Sequence, residues 1–100
     1  MSERSPSFIA ECFWTGVTEQ DVRLLDERIR SAVLDMASAG KPLRYSGSLL
    51  MPTDEVVLCL FDGSEDLVRL AAQQAGVPFD RIVPTFTHQL LTTPSGGETT

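Results

Sequence analysis

The stretch Phe8-Ile9-Ala10-Glu11-Cys12-Phe13-Trp14 is apolar at alternate positions on both faces, which is the pattern of an inner strand covered from two sides. One carboxylate, Glu11, interrupts it, and a charge in such a place is costly unless it is paired, hydrogen-bonded or bound to a cation. After the turn at Thr15-Gly16-Val17, Thr18 reads as a helix N-cap, with Glu19 and Asp21 in the first turn, where the helix dipole favours anions. Val22, Leu25, Ile29, Val33 and Met36 then recur at steps of three and four, with Ala32 and Ala37 beside them. This makes one apolar stripe along a long helix. Arg23, Asp26, Glu27, Arg30 and Asp35 occupy the other side and read as a solvated face, and Gly40-Lys41-Pro42 ends the helix.

Leu43 to Met51 predicts a second, more polar strand, holding Arg44, Ser46, Gly47 and Ser48. Pro52-Thr53-Asp54 turns the chain into Glu55 to Phe61, the most apolar strand and an inner one, so the two form a hairpin. Ser64 caps a shorter helix with Glu65 and Asp66 in its first turn and Leu67, Val68, Ala71, Ala72 and Ala75 on its buried side. Gly76-Val77-Pro78 is a Schellman-type ending. A last strand runs from about Arg81 to Leu90, and its Pro84 places it at a sheet edge.

The order strand, helix, strand, strand, helix, strand predicts an α+β fold of the ferredoxin-like, split-βαβ kind. Four antiparallel strands in the order 4-1-3-2 would carry both helices on one face. The apolar first and third strands suit the centre, and the polar second and proline-bearing fourth suit the edges. Residues 8–91 form the expected domain. The polar, Gly/Ser/Thr/Pro-rich segments 1–7 and 92–100 are expected to be disordered tails.

Alternation predicts Phe8, Ala10, Cys12 and Trp14 towards the helices and Ile9, Glu11 and Phe13 towards the open face. Val57, Cys59 and Phe61 are expected on that open side, with Arg44, Ser46, Ser48 and Leu50 from the second strand and Val83, Thr85 and Thr87 from the fourth. An apolar patch of that size is not left in water on a monomer, and a second copy packed sheet to sheet about a two-fold axis would cover it. The mixed polar and apolar lining could equally hold a ligand. Glu11, Arg44, Ser46 and Thr85 are the candidate ligand-binding residues, with Arg44 the expected partner of Glu11. Glu11, His88 and Cys59 are the candidate metal ligands, and a cage would have to be shared across a dimer.

A formal charge of −6 over 100 residues opposes binding to nucleic acid or an anionic membrane surface, and 42% hydrophobic content is enough for one small core. No apolar run approaches the roughly 20 residues that span a bilayer. The polar N-terminus has no hydrophobic signal region, which makes cytoplasm the expected location. Two cysteines without a CxxC spacing read as buried thiols. There is no Ser/His/Asp arrangement, Walker loop, GxGxxG, zinc-ligand spacing or paired-carboxylate motif.

Phe8 to Trp14 with Gly16-Val17-Thr18 resembles the opening of small ferredoxin-like proteins described as nickel-binding, otherwise a domain family of unknown function related to dimeric α/β-barrel proteins. Arg44-Tyr45-Ser46-Gly47-Ser48, the strand ending Cys59-Leu60-Phe61, and Ala75 to Ile82 carry the same resemblance over about residues 8 to 90. It implies a dimer that binds a transition metal, with nickel as the named example. Together with the carboxylate of Glu11, this makes a non-enzymatic homodimer that binds nickel, another divalent transition metal or a small ligand the leading expectation. Two other expectations remain open: a dimeric α/β-barrel-type enzyme acting on a small apolar substrate, and an interaction module without a ligand.

Overall fold

The computed structural model describes residues 7–86. Among these residues are the strands β1 (Ser7–Phe13), β2 (Arg44–Met51), β3 (Val56–Asp62) and β4 (Arg81–Thr85), and the helices α1 (Glu19–Ser38) and α2 (Glu65–Ala75). The strands form one antiparallel sheet in the order β2-β3-β1-β4, the expected ferredoxin-like topology. Residues 1–6 and 87–100, which include most of both expected tails, His88 and Thr87, lie outside the described residues.

Local chemistry sets the helix ends. Thr18 and Asp21 cap α1 reciprocally: the Asp21 amide donates to Thr18 Oγ1 at 3.1 Å and the Thr18 amide to Asp21 Oδ2 at 2.9 Å. Ser64 Oγ accepts from the Leu67 amide at 3.3 Å at the start of α2. At the end of α2, Gly76 takes the left-handed conformation (φ +70°), and the Val77 amide reaches back to the Ala72 carbonyl at 2.8 Å. A side chain at that φ is strained, so the sequence Gly76-Val77-Pro78 is written into the backbone.

Both helices lie on one face of the sheet. Leu25, Ile29 and Met36 of α1 and Val68, Ala71 and Ala72 of α2 bury against Ala10 and Cys12 of β1. Val57, Cys59 and Phe61 of β3 belong to the same core, none more than 1% exposed. This corrects the face expected for those three residues. The pairs Ala10↔Cys59 and Cys12↔Val57 put them beneath the helices, which leaves Leu58 and Leu60 on the open side. Val56 to Phe61 is apolar at every position, so alternation alone carries no face information, and a slip of one residue reverses every side chain.

Strand β2 departs for a different reason. A bulge between Tyr45 and Gly47 adds a residue to the edge strand, and the alternation changes phase there. Arg44 stays on the open face, but Ser48 and Leu50, expected beside it, turn towards α1 and are replaced by Gly47, Leu49 and Met51. Tyr45 and Ser48 therefore meet Asp26 in the middle of α1. The Tyr45 hydroxyl donates to Asp26 Oδ1, and Ser48 Oγ donates to both carboxylate oxygens at 2.9 and 3.1 Å. Burial, with help from Cys59 and Asp26, holds the Tyr45 hydroxyl well above the ordinary tyrosine range. Asp26, which the charge pattern assigned to the solvated face, is the link between α1 and the β2 edge.

Candidate functional site on the open sheet face

The register lays the open face out as rows across the four strands. The first row is polar: Arg44, Asp62, Ser7 and Thr85, with Ser7 Oγ donating to Asp62 Oδ1 at 2.6 Å. The second is Gly47, Leu60, Ile9 and Val83. The third is Leu49, Leu58, Glu11 and Arg81, and the fourth is Met51, Val56 and Phe13. Phe13 is 60% exposed, Leu49 54% and Met51 37%. An apolar field thus spans three rows, with one charged pair inside it.

That pair is Glu11 and Arg81. They are direct cross-strand neighbours, and Arg81 Nε donates to Glu11 Oε1 at 2.5 Å. The Glu11 side chain is 19% exposed and that of Arg81 68%, so the carboxylate is largely enclosed while the guanidinium is mostly in water. Asp80 fixes the approach of β4: its amide donates to the Glu11 carbonyl at 2.7 Å and its Oδ2 accepts from the Phe13 amide at 2.7 Å. Two backbone groups of β1 thereby hold the start of β4, and Arg81 falls opposite Glu11.

Arg44, the expected partner of Glu11, is two strands away and four residues further along, about 16 Å by ordinary strand spacing. Thr85 shares the first row with Arg44 and is four residues along β4 from Arg81. Ser46 sits in the β2 bulge. The four candidate ligand-binding residues are therefore spread over the face and its edge, not gathered round Glu11. Arg81 was legible in principle, because the alternation that puts Val83 and Thr85 on the open face also puts Arg81 there.

The candidate metal ligands separate as well. Cys59 lies on the helix side of the sheet, fully buried, with the sheet between it and Glu11, and His88 is outside the described residues. Among the described residues no group of three or more His, Cys, Asp or Glu side chains is placed to hold a metal ion. Cys59 instead meets Cys12. The hydrogen bond between them lowers the Cys12 thiol and, together with burial, pushes the Cys59 thiol up.

Among the described residues no helix is long and apolar enough to cross a membrane. No known protein-family model matches the chain, and a search of curated proteins finds no match. Among solved structures, the crystal structure of SCO4226 from Streptomyces coelicolor A3(2) is similar. It superposes with a TM-score of 0.63 at 17% identity, over 87% of this chain and 99% of that one. At that identity the likeness is one of fold, and it agrees with the ferredoxin-like arrangement described above.

Proposed function

We propose that the protein is a non-enzymatic binding module that works as a homodimer closed over its open sheet face and holds a small ligand there beside the Glu11–Arg81 pair. The observation that carries this is the three-row apolar field with a single ion pair in it. Four strands about 4.8 Å apart and about seven residues long present a face of roughly 19 by 23 Å, or about 440 Å2. The three apolar rows take up about three quarters of it, about 330 Å2, which matches the functional patches of soluble proteins and approaches half of what one partner contributes to a stable interface. A second copy is the simplest cover, since a two-fold axis makes the same face complementary to itself. Apolar walls with one carboxylate and one guanidinium also suit a small organic ligand with a polar end.

Nickel is the metal that the sequence resemblance implies. The described residues of one protomer do not make up a site for it. They offer one carboxylate at mid-face, already engaged by Arg81, whereas a transition metal takes four to six donors. A metal site would need donors from a second copy or from outside residues 7–86.

Sedimentation of the full chain between about 1 and 100 µM tests the dimer, and calorimetric titration with nickel, cobalt and zinc tests the metal. A dimer that takes up 8-anilinonaphthalene-1-sulfonate between its sheet faces, with uptake reduced in Arg81→Gln, which lacks the guanidinium that would hold the sulfonate, is the expected result. A monomer throughout that range, with no heat from any metal, overturns the reading.

A further inference from the structure

We infer that the cleft at the end of the sheet where β2 begins and β3 ends is a second binding site, taking the zwitterionic head of a neutral, apolar α-amino acid between Arg44 and Asp62. The cleft measures about 570 Å3, which is within the usual range of small-molecule sites, and is lined by Pro42, Leu43, Arg44, Asp62 and Gly63. Its apolar wall is fixed by a close approach of the two chain segments. Gly63 has a φ of +149°, which side chains rarely adopt, and a Cβ there would come within 2.6 Å of Leu43 Cδ1.

The charges single this cleft out. Arg44 and Asp62 are directly opposed across β2 and β3, an arrangement in which opposite charges ordinarily pair. Among the described residues no ion pair joins them. Asp62 is half-buried and is held on the β1 side by Ser7, whose hydroxyl donates to Oδ1 at 2.6 Å. Its Oδ2 is left as an acceptor that no described donor reaches. Arg44 is exposed and engages no described carboxylate, so its fork of N–H donors stays available. The cleft thus carries a cation and an anion side by side, neither neutralised by the other.

The complement is a molecule whose carboxylate and ammonium are joined through one carbon. The carboxylate meets the Arg44 guanidinium with two parallel hydrogen bonds, and the ammonium donates to Asp62 Oδ2. The side chain on that carbon then lies against Pro42 and Leu43, which offer it only apolar atoms. A further charge of either sign on the ligand would sit against its like, Asp62 or Arg44. Arg44 is about 16 Å from Glu11 by strand spacing and lies in the polar first row, outside the three apolar rows, so this site is independent of the dimer and its ligand.

Equilibrium dialysis of the full-length protein against radiolabelled L-leucine tests the proposal, with isocaproate and isoamylamine as competitors that each keep one of the two charges. Saturable uptake of one leucine per chain is expected. Each competitor should bind at least about ten-fold more weakly, because it leaves one charged group of the cleft without its partner. Arg44→Gln should erase the preference for leucine over isoamylamine. Asp62→Asn, which keeps an acceptor for Ser7, should erase the preference over isocaproate, and both variants should melt with the parent. Uptake should also survive in Leu58→Lys, whose change lies in the apolar rows. No saturable uptake of leucine, equal affinity for the three compounds, or preferences unchanged in both cleft variants would each overturn the proposal. Uptake lost in Leu58→Lys would overturn it as well, by assigning leucine to the dimer interface.

Discussion

Leu58 and Cys59 are adjacent on β3, and the register predicts opposite fates for a lysine at each. Leu58 is half-buried on the open face, directly opposite Glu11 on one side and Leu49 on the other. In Leu58→Lys the new ammonium lies beside the Glu11 carboxylate and keeps a route to water, so the protomer should fold and melt within a few degrees of the parent. The dimer should not survive. The apolar surface that Leu58 still exposes is worth about 1 kcal/mol when covered, and a lysine enclosed by a partner costs at least about 1 kcal/mol more. A two-fold axis counts both terms twice, for about 4 kcal/mol, or roughly a thousand-fold rise in the dimer Kd. Cys59→Lys places its charge among Phe61, Val57 and Ile29, all in the core. An unpaired buried charge and the added volume together cost several kcal/mol, comparable with the roughly 5–15 kcal/mol that holds a small domain together. That variant should be unfolded or molten. Circular dichroism melts and sedimentation equilibrium of the two variants read both outcomes. A folded Cys59→Lys would refute the register, and an undiminished Leu58→Lys dimer would show that the open face is not the interface.

Other outcomes follow from single contacts. Tyr45 is the only tyrosine, and its proton is retained in the fold well beyond the ordinary pKa near 10. The raised folded value means its contribution is intact below pH 10 and is lost as pH rises above it, so the phenolate absorbance near 295 nm should appear together with unfolding. A smooth titration near pH 10 in folded protein would contradict this. Tyr45→Phe removes one hydrogen bond to the Asp26 carboxylate and should lower stability by about 1–2 kcal/mol, seen as a fall in Tm of roughly 4–15 °C. Thr18→Ala removes the arm of the α1 capping box that runs from the Asp21 amide to Thr18 Oγ1 and should cost about 1 kcal/mol in chemical denaturation. Arg81→Ala removes a pair whose guanidinium is mostly in water, so the protomer should lose less than about 1 kcal/mol. A larger loss there would mean that the pair is enclosed in solution.

The partner of Glu11 shows where reading the chain reached its limit. The carboxylate stands out within Phe8 to Trp14, and its place on a central strand followed from the apolar pattern around it. Arg44 was the expected partner, although the expected order 4-1-3-2 already sets the fourth strand beside the first and the second strand two places away. The register of β1 against β4 then puts Arg81 directly opposite Glu11. The bulge at Tyr45–Gly47 carries no signal stronger than one glycine in a polar edge strand, yet it turns Ser48 and Leu50 inward and so joins Asp26 to the sheet.

What the amino-acid sequence determined by itself is what local interactions decide. The helix starts at Thr18 and Ser64 depend on one side chain and the next turn of backbone, and the end at Gly76 depends on one φ angle. The element order and the central places of β1 and β3 follow from runs of apolar residues that have to be buried. The tertiary structure alone decided which way β3 faces, since Val56 to Phe61 is apolar at every step and pairing with Ala10 and Cys12 is what turns Cys59 inward. It also decided that Arg81 meets Glu11, because the expected strand order sets β4 beside β1 but leaves open the register that puts residues 70 positions apart face to face.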